Sequence, residues 1–267
     1  MKTVVITGSA RGFGYQMLSL FYKNDFNVVL CDINEEALDI AYKDLISMNC
    51  KGDVLKCVVD ITSSSDVSKM INEVLDKFSS IDIWINNAGV NQIMKPIWEL
   101  DEKMINRLIN IDLVGTIICS KLIVPVMAKQ KSGAIYNVEG YGSDDATMLG
   151  LSIYGTAKRA VTYFTEALYK EIKESNLNIV VGKITPGIMI TNFIDTSLGD
   201  GEKIELSEKT KNIYNILGDY PSTIADFMVK KILNNKKMNV KFVWLTPFRA
   251  MKRFFLAMFG VKNNYFD

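Results

Sequence analysis

The chain contains no histidine. That removes Ser-His-Asp and Cys-His nucleophile systems and every histidine-based metal site, and no metal is expected. Four cysteines are present, Cys31, Cys50, Cys57 and Cys119, and none forms a CxxC pair. They read as buried or stray thiols of a cytoplasmic protein in a reducing compartment. Net charge is also scarce, since 31 basic residues meet 30 acidic ones. Nucleic-acid binding therefore lacks its main electrostatic driver, and no such partner is expected. No run of 18 or more apolar residues occurs, so no transmembrane helix is expected. The N-terminal apolar run, Thr3 to Thr7, stops at Gly8 and is too short for the core of a signal peptide. Internal repeats and low-complexity segments are lacking as well. Chemistry must run on Tyr, Lys, Ser, Asp/Glu or Cys, or on an organic cofactor.

What is present suits one large α/β domain. The 267 residues are 48% hydrophobic and 23% charged, enough for a sizeable core. Strand-like runs at Lys2–Thr7, Asn27–Cys31, Val54–Val59, Ile81–Ile85, Ala134–Val138 and Ile179–Ile184 alternate with helical spacing. Helices are predicted from Gln16 to Asn24, after an Asn34 cap, from a Ser63–Ser65 cap to Phe78, from Asp101 to Lys129, and from Ser152 to Ser175. Several strands are solidly apolar, which predicts a parallel sheet covered on both faces. Residues 1–240 read as one catalytic domain with a loop or lid at about 191–218. Residues 241–267 read as a C-terminal strand and an amphipathic helical tail.

The first strand runs into Gly8-Ser9-Ala-Arg11-Gly12-Phe13-Gly14, which opens a helix. Gly8 permits the sharp turn, and Gly12 and Gly14 let a pyrophosphate approach the backbone. The helix N-terminus adds N–H groups and a positive dipole end. Asp32, with Ile33 behind it, ends the second strand 18 residues after Gly14. A carboxylate there accepts both adenosine ribose hydroxyls and repels a 2′-phosphate, so NAD(H) is expected over NADP(H). Arg11 is the counter-signal, because a basic residue there can meet a 2′-phosphate. Asp60 and Ile61 can present an acceptor and a donor to the adenine edge.

Four motifs then occur in order: Thr7-Gly8-x-x-x-Gly12-x-Gly14, Asn86-Asn87-Ala88-Gly89, Tyr154-x-x-x-Lys158 and Pro186-Gly187-x-x-x-Thr191. Over residues 1 to about 195 the chain resembles the short-subunit branch of the short-chain dehydrogenase/reductase superfamily. The resemblance implies a Rossmann-like fold with a seven-stranded parallel sheet and helices on both faces. It implies that Asn87, Ala88 and Gly89 approach the cofactor riboses. Pro186, Gly187 and Ile188 would line the nicotinamide, with Thr191 orienting its carboxamide. A narrower likeness lies in Asn137-Val-Glu-Gly-Tyr-Gly-Ser143, Tyr154-Gly-Thr-Ala-Lys158-Arg159, Trp244-Leu-Thr-Pro-Phe-Arg249 and Gly260-Val-Lys-Asn-Asn-Tyr265. These resemble the chlorophyll(ide) b reductases, which reduce a formyl group on a large ring system. That branch looks NADPH-linked, whereas Asp32 points to NAD(H).

Tyr154 and Lys158 stand four apart, on one face of a predicted helix. A phenol of pKa about 10 is a poor base, and a nearby ammonium favours its ionised form. Tyr154 is thus the expected acid/base, supported by Lys158. Two residues depart from the family pattern. The family places a serine about 13 residues before the tyrosine, on Asn-x-Ser-Ser, and here the run is Asn137-Val-Glu139-Gly140. Ser143 is the preferred substitute hydroxyl, with Tyr141 as the alternative. Asp112 stands where the family has an asparagine that kinks a helix and offers its backbone carbonyl to a water beside the lysine. The carbonyl survives the change, and a buried carboxylate would also hold Lys158 protonated.

Ile93, Met94, Trp98, Met148, Leu149 and Met189 form an expected apolar pocket wall, or are simply core. The leading expectation is a secondary alcohol/ketone oxidoreductase for a bulky, steroid-like or polycyclic substrate, working as a homodimer or homotetramer. The alternatives are a formyl reductase and a nucleotide-binding regulator without catalysis. On the tail, Phe248, Met251, Phe254, Phe255 and Met258 share one helical side. That side either packs on the protein or a partner subunit, or touches a membrane surface.

Overall fold

A computed structural model describes residues 1–190 and 207–265. Strands β1 (Thr3–Thr7), β2 (Asn27–Asp32), β3 (Val54–Val58), β4 (Ile83–Asn86), β5 (Gly133–Val138), β6 (Ile179–Thr185) and β7 (Asn239–Val243) make one sheet in the order β3-β2-β1-β4-β5-β6-β7. Every pair is parallel. The chain reverses its direction of travel across the sheet after β3. The crevice beside β1 and β4 is therefore the switch point where such sheets bind ligands.

Both faces of the sheet are buried, as the solid apolar runs require. Val4 and Ile6 of β1 and Val28 and Leu30 of β2 pack on one side with Met17, Leu18 and Phe21 of α1 (Gly12–Lys23). Val5 and Val29 face the other side with Met70 and Val74 of α3 (Ser64–Phe78) and Cys119, Ile123 and Met127 of α5 (Thr116–Gln130). Helix α2 (Glu35–Ser47) starts at Asn34, whose Oδ1 accepts the Ala37 amide at 2.8 Å. Helix α3 starts at Ser63, whose Oγ accepts the Asp66 amide at 3.3 Å. Both caps match the sequence reading.

Helix α1 begins at Gly12, four residues before the expected Gln16, so the second half of the glycine turn is itself helical. The helix expected from Asp101 to Lys129 is α4 (Glu102–Ile109) and α5 joined by a π-helical turn, Asn110–Gly115. The whole span Glu102–Gln130 is long and apolar enough to cross a membrane by composition, contrary to expectation. It packs instead on the sheet through α5. The remaining helices are α6 (Ser152–Glu174), α7 (Glu208–Leu217), α8 (Pro221–Leu233) and α9 (Pro247–Ala257). The boundary expected after residue 240 falls inside β7, which completes the sheet. Of the expected lid, 191–206 lies outside the described residues, and most of the rest is helix α7.

Candidate active site

The glycine turn is held from two sides. Gly8 has φ +62°, and a Cβ there would sit 2.8 Å from Ala88 Cα, so no side chain fits between the β1 and β4 turns. Asn87 Nδ2 donates to the carbonyls of Thr7 and Gly8 at 2.9 and 3.1 Å. The Asn87 and Ala88 amides both donate to Thr7 Oγ1 at 3.0 Å. Gly12 differs, because nothing lies within 4 Å of the place its Cβ would take. The turn is therefore open at Gly12, at the N-terminus of α1. Glycine backbone, helix dipole and first-turn amides fit a pyrophosphate there.

The other expected cofactor residues contribute unequally. Ser9 is buried and its Oγ accepts the Cys31 amide at 3.1 Å, while the Phe13 ring is core. The Ser9 hydroxyl is thus engaged by Cys31 and the Phe13 ring by the core. Arg11 is exposed and makes no capping bond with its side chain. Asp32 is half-buried at the end of β2, with Oδ1 accepting the Asn34 amide at 3.1 Å, and Ile33 beside it is exposed. Asp60 Oδ1 accepts from Thr62 N at 2.8 Å and Thr62 Oγ1 at 2.7 Å, so one oxygen closes a turn. Ile61 is buried, under Gly115. After β6, Pro186 is buried and Gly187 has φ +75°. The Ile188 carbonyl accepts the Asp219 amide at 3.1 Å. Thr191 lies outside the described residues.

The proton-handling pair stands in the first two turns of α6. Lys158 Nζ meets Asp112 Oδ2 at 2.9 Å, with side-chain exposures of 7% and 0%. The other carboxylate oxygen, Oδ1, accepts the Val90 amide at 2.8 Å. Asp112 thus pins the segment after Asn87-Ala88-Gly89 to Lys158. Its backbone carbonyl accepts Thr116 Oγ1 at 2.9 Å. The side chain, not the carbonyl, is what reaches Lys158. The π-helical turn supplies the geometry, since one wider turn re-aims residue 112 toward α6.

The Coulomb attraction at 2.9 Å is about 6 kcal/mol at an effective dielectric of about 20. Desolvating each ion costs several kcal/mol, so the pair roughly breaks even in stability. Its value lies in electrostatics. Burial opposes charge on Lys158, but Asp112 and Tyr154 outweigh it and hold the ammonium protonated above its ordinary range. Burial also lifts Asp112 upward against the pull of Lys158. For Tyr154, burial pushes the phenol above its ordinary value, Lys158 opposes, and Asp112 and Tyr214 add to the rise. Lys158 thus pulls this phenol down as expected, but burial pushes it up by more. Burial exceeds one ammonium whose field Asp112 partly cancels.

Gly140 ends the Asn137-Val-Glu139-Gly140 run, and Tyr154 lies against it. A Cβ on Gly140 would lie 2.2 Å from Tyr154 Oη, so the phenol sits directly over this glycine. Ser143 stands on the same loop. Its Oγ donates to the Gly140 carbonyl at 2.6 Å and accepts the Gly140 amide at 3.0 Å, closing the loop on itself. Tyr141 is 40% exposed and its hydroxyl donates to the Thr147 carbonyl at 3.1 Å.

Two residues matter that the sequence reading passed over. Gln92 is buried; its Oε1 accepts the Ile153 and Tyr154 amides at 3.1 and 2.9 Å, and its Nε2 donates to the Gly150 carbonyl at 2.7 Å. It caps α6 from about 60 residues away, a contact with no local signature. Glu139 is buried beside Gly140, and its carboxylate accepts Thr162 Oγ1 and Thr185 Oγ1, each at 2.7 Å, and Lys241 Nζ at 2.9 Å. It ties the end of β5 to α6, β6 and β7. A charged residue before a glycine in a loop motif was its only visible sign. Of the expected pocket wall, Trp98 and Leu149 are 82% and 94% exposed, and Met94 and Met148 are also exposed. Ile93 and Met189 are half-buried. Gly150 lies against Met94 and Lys95, so the 93–98 and 148–150 segments are neighbours.

Comparison with known proteins agrees with this geometry. The chain is 30% identical over 269 residues to the chloroplastic chlorophyll(ide) b reductase NOL of Oryza sativa subsp. japonica, covering 98% of this chain and 76% of that one. It is 29% identical over 266 residues to the probable chlorophyll(ide) b reductase NYC1 of Arabidopsis thaliana, spanning about half (52%) of that longer protein. In fold it is similar to NAD+-bound xylitol dehydrogenase, with a TM-score of 0.76 at 22% identity over 90% of this chain and 96% of that one. The family model of short chain dehydrogenases matches residues 2–200. A parallel seven-stranded sheet, an open glycine turn at its switch point and Tyr154 beside a buried Lys158–Asp112 pair place the chain in the short-chain dehydrogenase/reductase family, as one of its NAD(P)-dependent oxidoreductases.

Proposed function

We propose that this enzyme reduces a formyl group carried on a large, apolar ring system, using NADH. The observation that carries the reading is Tyr154 Oη seated over Gly140, which ends the Asn137-Val-Glu139-Gly140 run where the family pattern implies serine. A bound nicotinamide dinucleotide supplies the hydride. Tyr154, held protonated by burial, donates its proton to the carbonyl oxygen as that oxygen gains charge. Lys158 stabilises the phenolate left behind, and Asp112 keeps Lys158 charged and in place. With one fixed donor in place of two, the site suits a carbonyl that is already strongly electrophilic, and an aldehyde meets that demand better than a ketone. The similarity to chlorophyll(ide) b reductases supports the same choice. Exposed Met94, Trp98, Met148 and Leu149 support a bulky apolar substrate. Asp32 supports NADH over NADPH.

A second reading, a secondary alcohol/ketone pair on a steroid-like or polycyclic substrate, draws on the same apolar residues. Turnover of large aromatic aldehydes and matched ketones, followed by NADH absorbance, separates the two. Aldehydes should be reduced at least tenfold faster in kcat/KM. Faster ketone reduction overturns the formyl reading. Tyr154→Phe should lower kcat about 10²- to 10⁴-fold, the usual worth of a positioned acid. Near-normal turnover in that variant removes Tyr154 from the proton step.

A further inference from the structure

Helix α9 is turned the opposite way from a helix that covers its own core. Its apolar side chains Phe248, Met251, Phe254, Phe255 and Met258 are 45% to 73% exposed, and the helix contains no buried residue. Its arginines point inward instead. Arg249 Nη1 donates to the Trp244 carbonyl at 2.6 Å, and its guanidinium lies 3.9 Å from the centre of the Trp244 ring. Arg253 Nη1 donates to the Leu217 carbonyl at 2.9 Å and pairs with Asp219 at 2.7 Å. Such anchoring fixes the helix so that its aromatic face stays in water, where an unpartnered patch of this kind marks an interaction surface.

Charge selects the partner. From Phe227 to Phe266 the sequence holds nine lysines and arginines and no aspartate or glutamate, while the whole chain is nearly neutral; Lys230, Lys241 and Arg253 pair with acids outside this segment, and the other six give it its positive charge. Part of this charge is gathered in space: Lys231 and Arg249 lie 5.5 and 5.7 Å from the centre of the same Phe227 ring. Lys252 is exposed within α9 itself. A second copy docked face to face would bring two acid-free basic segments together. An anionic lipid surface meets both the aromatics and the cations.

We propose that α9 is a membrane-docking helix that seats its aromatic face in the headgroup region of an anionic bilayer. The docked face is one helix from the reaction centre. Helix α9 packs on α7, and Tyr214 of α7 is close enough to Tyr154 to oppose its ionisation. Delivery of a lipid-soluble substrate by this route rests on the function proposed above; the docking itself does not.

Co-sedimentation of the full chain with vesicles tests the proposal. Vesicles of phosphatidylcholine with phosphatidylglycerol should bind the protein at low salt, at least tenfold more tightly than phosphatidylcholine alone. Raised salt should weaken the binding. The triple variant Phe254→Ser, Phe255→Ser, Met258→Ser should lose at least tenfold in binding, while its turnover of a water-soluble aldehyde is unchanged. Lys252→Glu, a single exposed change, should lose severalfold and guards against misfolding of the triple variant. Failure of the wild type to bind anionic vesicles overturns the proposal, as does undiminished binding by both variants. A dimer that dissociates in the triple variant, without any vesicle binding, assigns the face to a second copy and also overturns it. Inactivity toward aldehydes with intact vesicle binding counts against the proposed reaction alone.

Discussion

Asp112→Asn is nearly isosteric, yet it asks one amide to do what two carboxylate oxygens do now. Oδ1 accepts the Val90 amide at 2.8 Å and Oδ2 meets the Lys158 ammonium at 2.9 Å. Asparagine has one acceptor. If its oxygen faces Lys158, its NH₂ group meets the Val90 N–H. If its oxygen faces Val90, the NH₂ group meets the ammonium. One buried donor is orphaned either way, which costs about 1–3 kcal/mol. The Lys158 charge also loses its ion-pair partner, and breaking a buried pair from one side costs about 3–5 kcal/mol in all. For a domain of this size that lowers Tm by roughly 6 °C or more. The sign with pH follows from the raised pKa of Lys158. Its contribution is complete below the unfolded lysine value of about 10.4, and it fades as pH rises through the folded value. Urea unfolding near pH 8 therefore sees the full difference, and the gap between wild type and variant closes in strong alkali. A second readout separates chemistry from stability. Asp112 helps hold the Tyr154 phenol up, so removing its charge should move the alkaline limb of the pH–kcat profile for reduction to lower pH. A variant as stable as wild type, with the limb unmoved, refutes this account of the pair.

Gly140→Ala adds a methyl group 2.2 Å from Tyr154 Oη. The phenol can swing aside at little cost in Tm, but a displacement near 1 Å at the reacting group costs about 10²-fold in kcat; unchanged kcat would show that the phenol is not set by this contact. Gln92→Ala removes the acceptor of two α6 amides and should cost about 1–3 kcal/mol in urea unfolding. Its kcat should fall more than its KM changes, because the first turn carrying Tyr154 frays. Asp32→Ser should shift the NADPH/NADH affinity ratio at least tenfold toward NADPH by removing a carboxylate that repels a 2′-phosphate. Fluorescence titration with both cofactors checks this, and an unchanged ratio removes Asp32 from the choice.

Much of this protein is written in short-range pattern. Solid apolar strands beside 3.6-period helices dictated a two-faced parallel sheet, because each face needs its own cover. Gly8 and Gly12 announced a turn that side chains would block or fill, and Tyr154 and Lys158 announced themselves by sharing one helical face. Local caps such as Asn34 and Ser63 were equally legible, since donor and acceptor lie within one turn. What the tertiary structure alone decided are the contacts whose partners lie far apart along the chain. Gln92 caps a helix about 60 residues away. A π-helical turn aims Asp112 at Lys158 and builds the buried ion pair. Ser143, a fair candidate by spacing, spends its hydroxyl on Gly140. The tail helix shows the division most clearly. Periodicity gave α9 an apolar side and a basic side, but the anchors that turn its arginines inward and its aromatics outward, Trp244, Leu217 and Asp219, belong to other elements. A helical period states that two faces exist; only the packing of neighbouring elements chooses which one meets water.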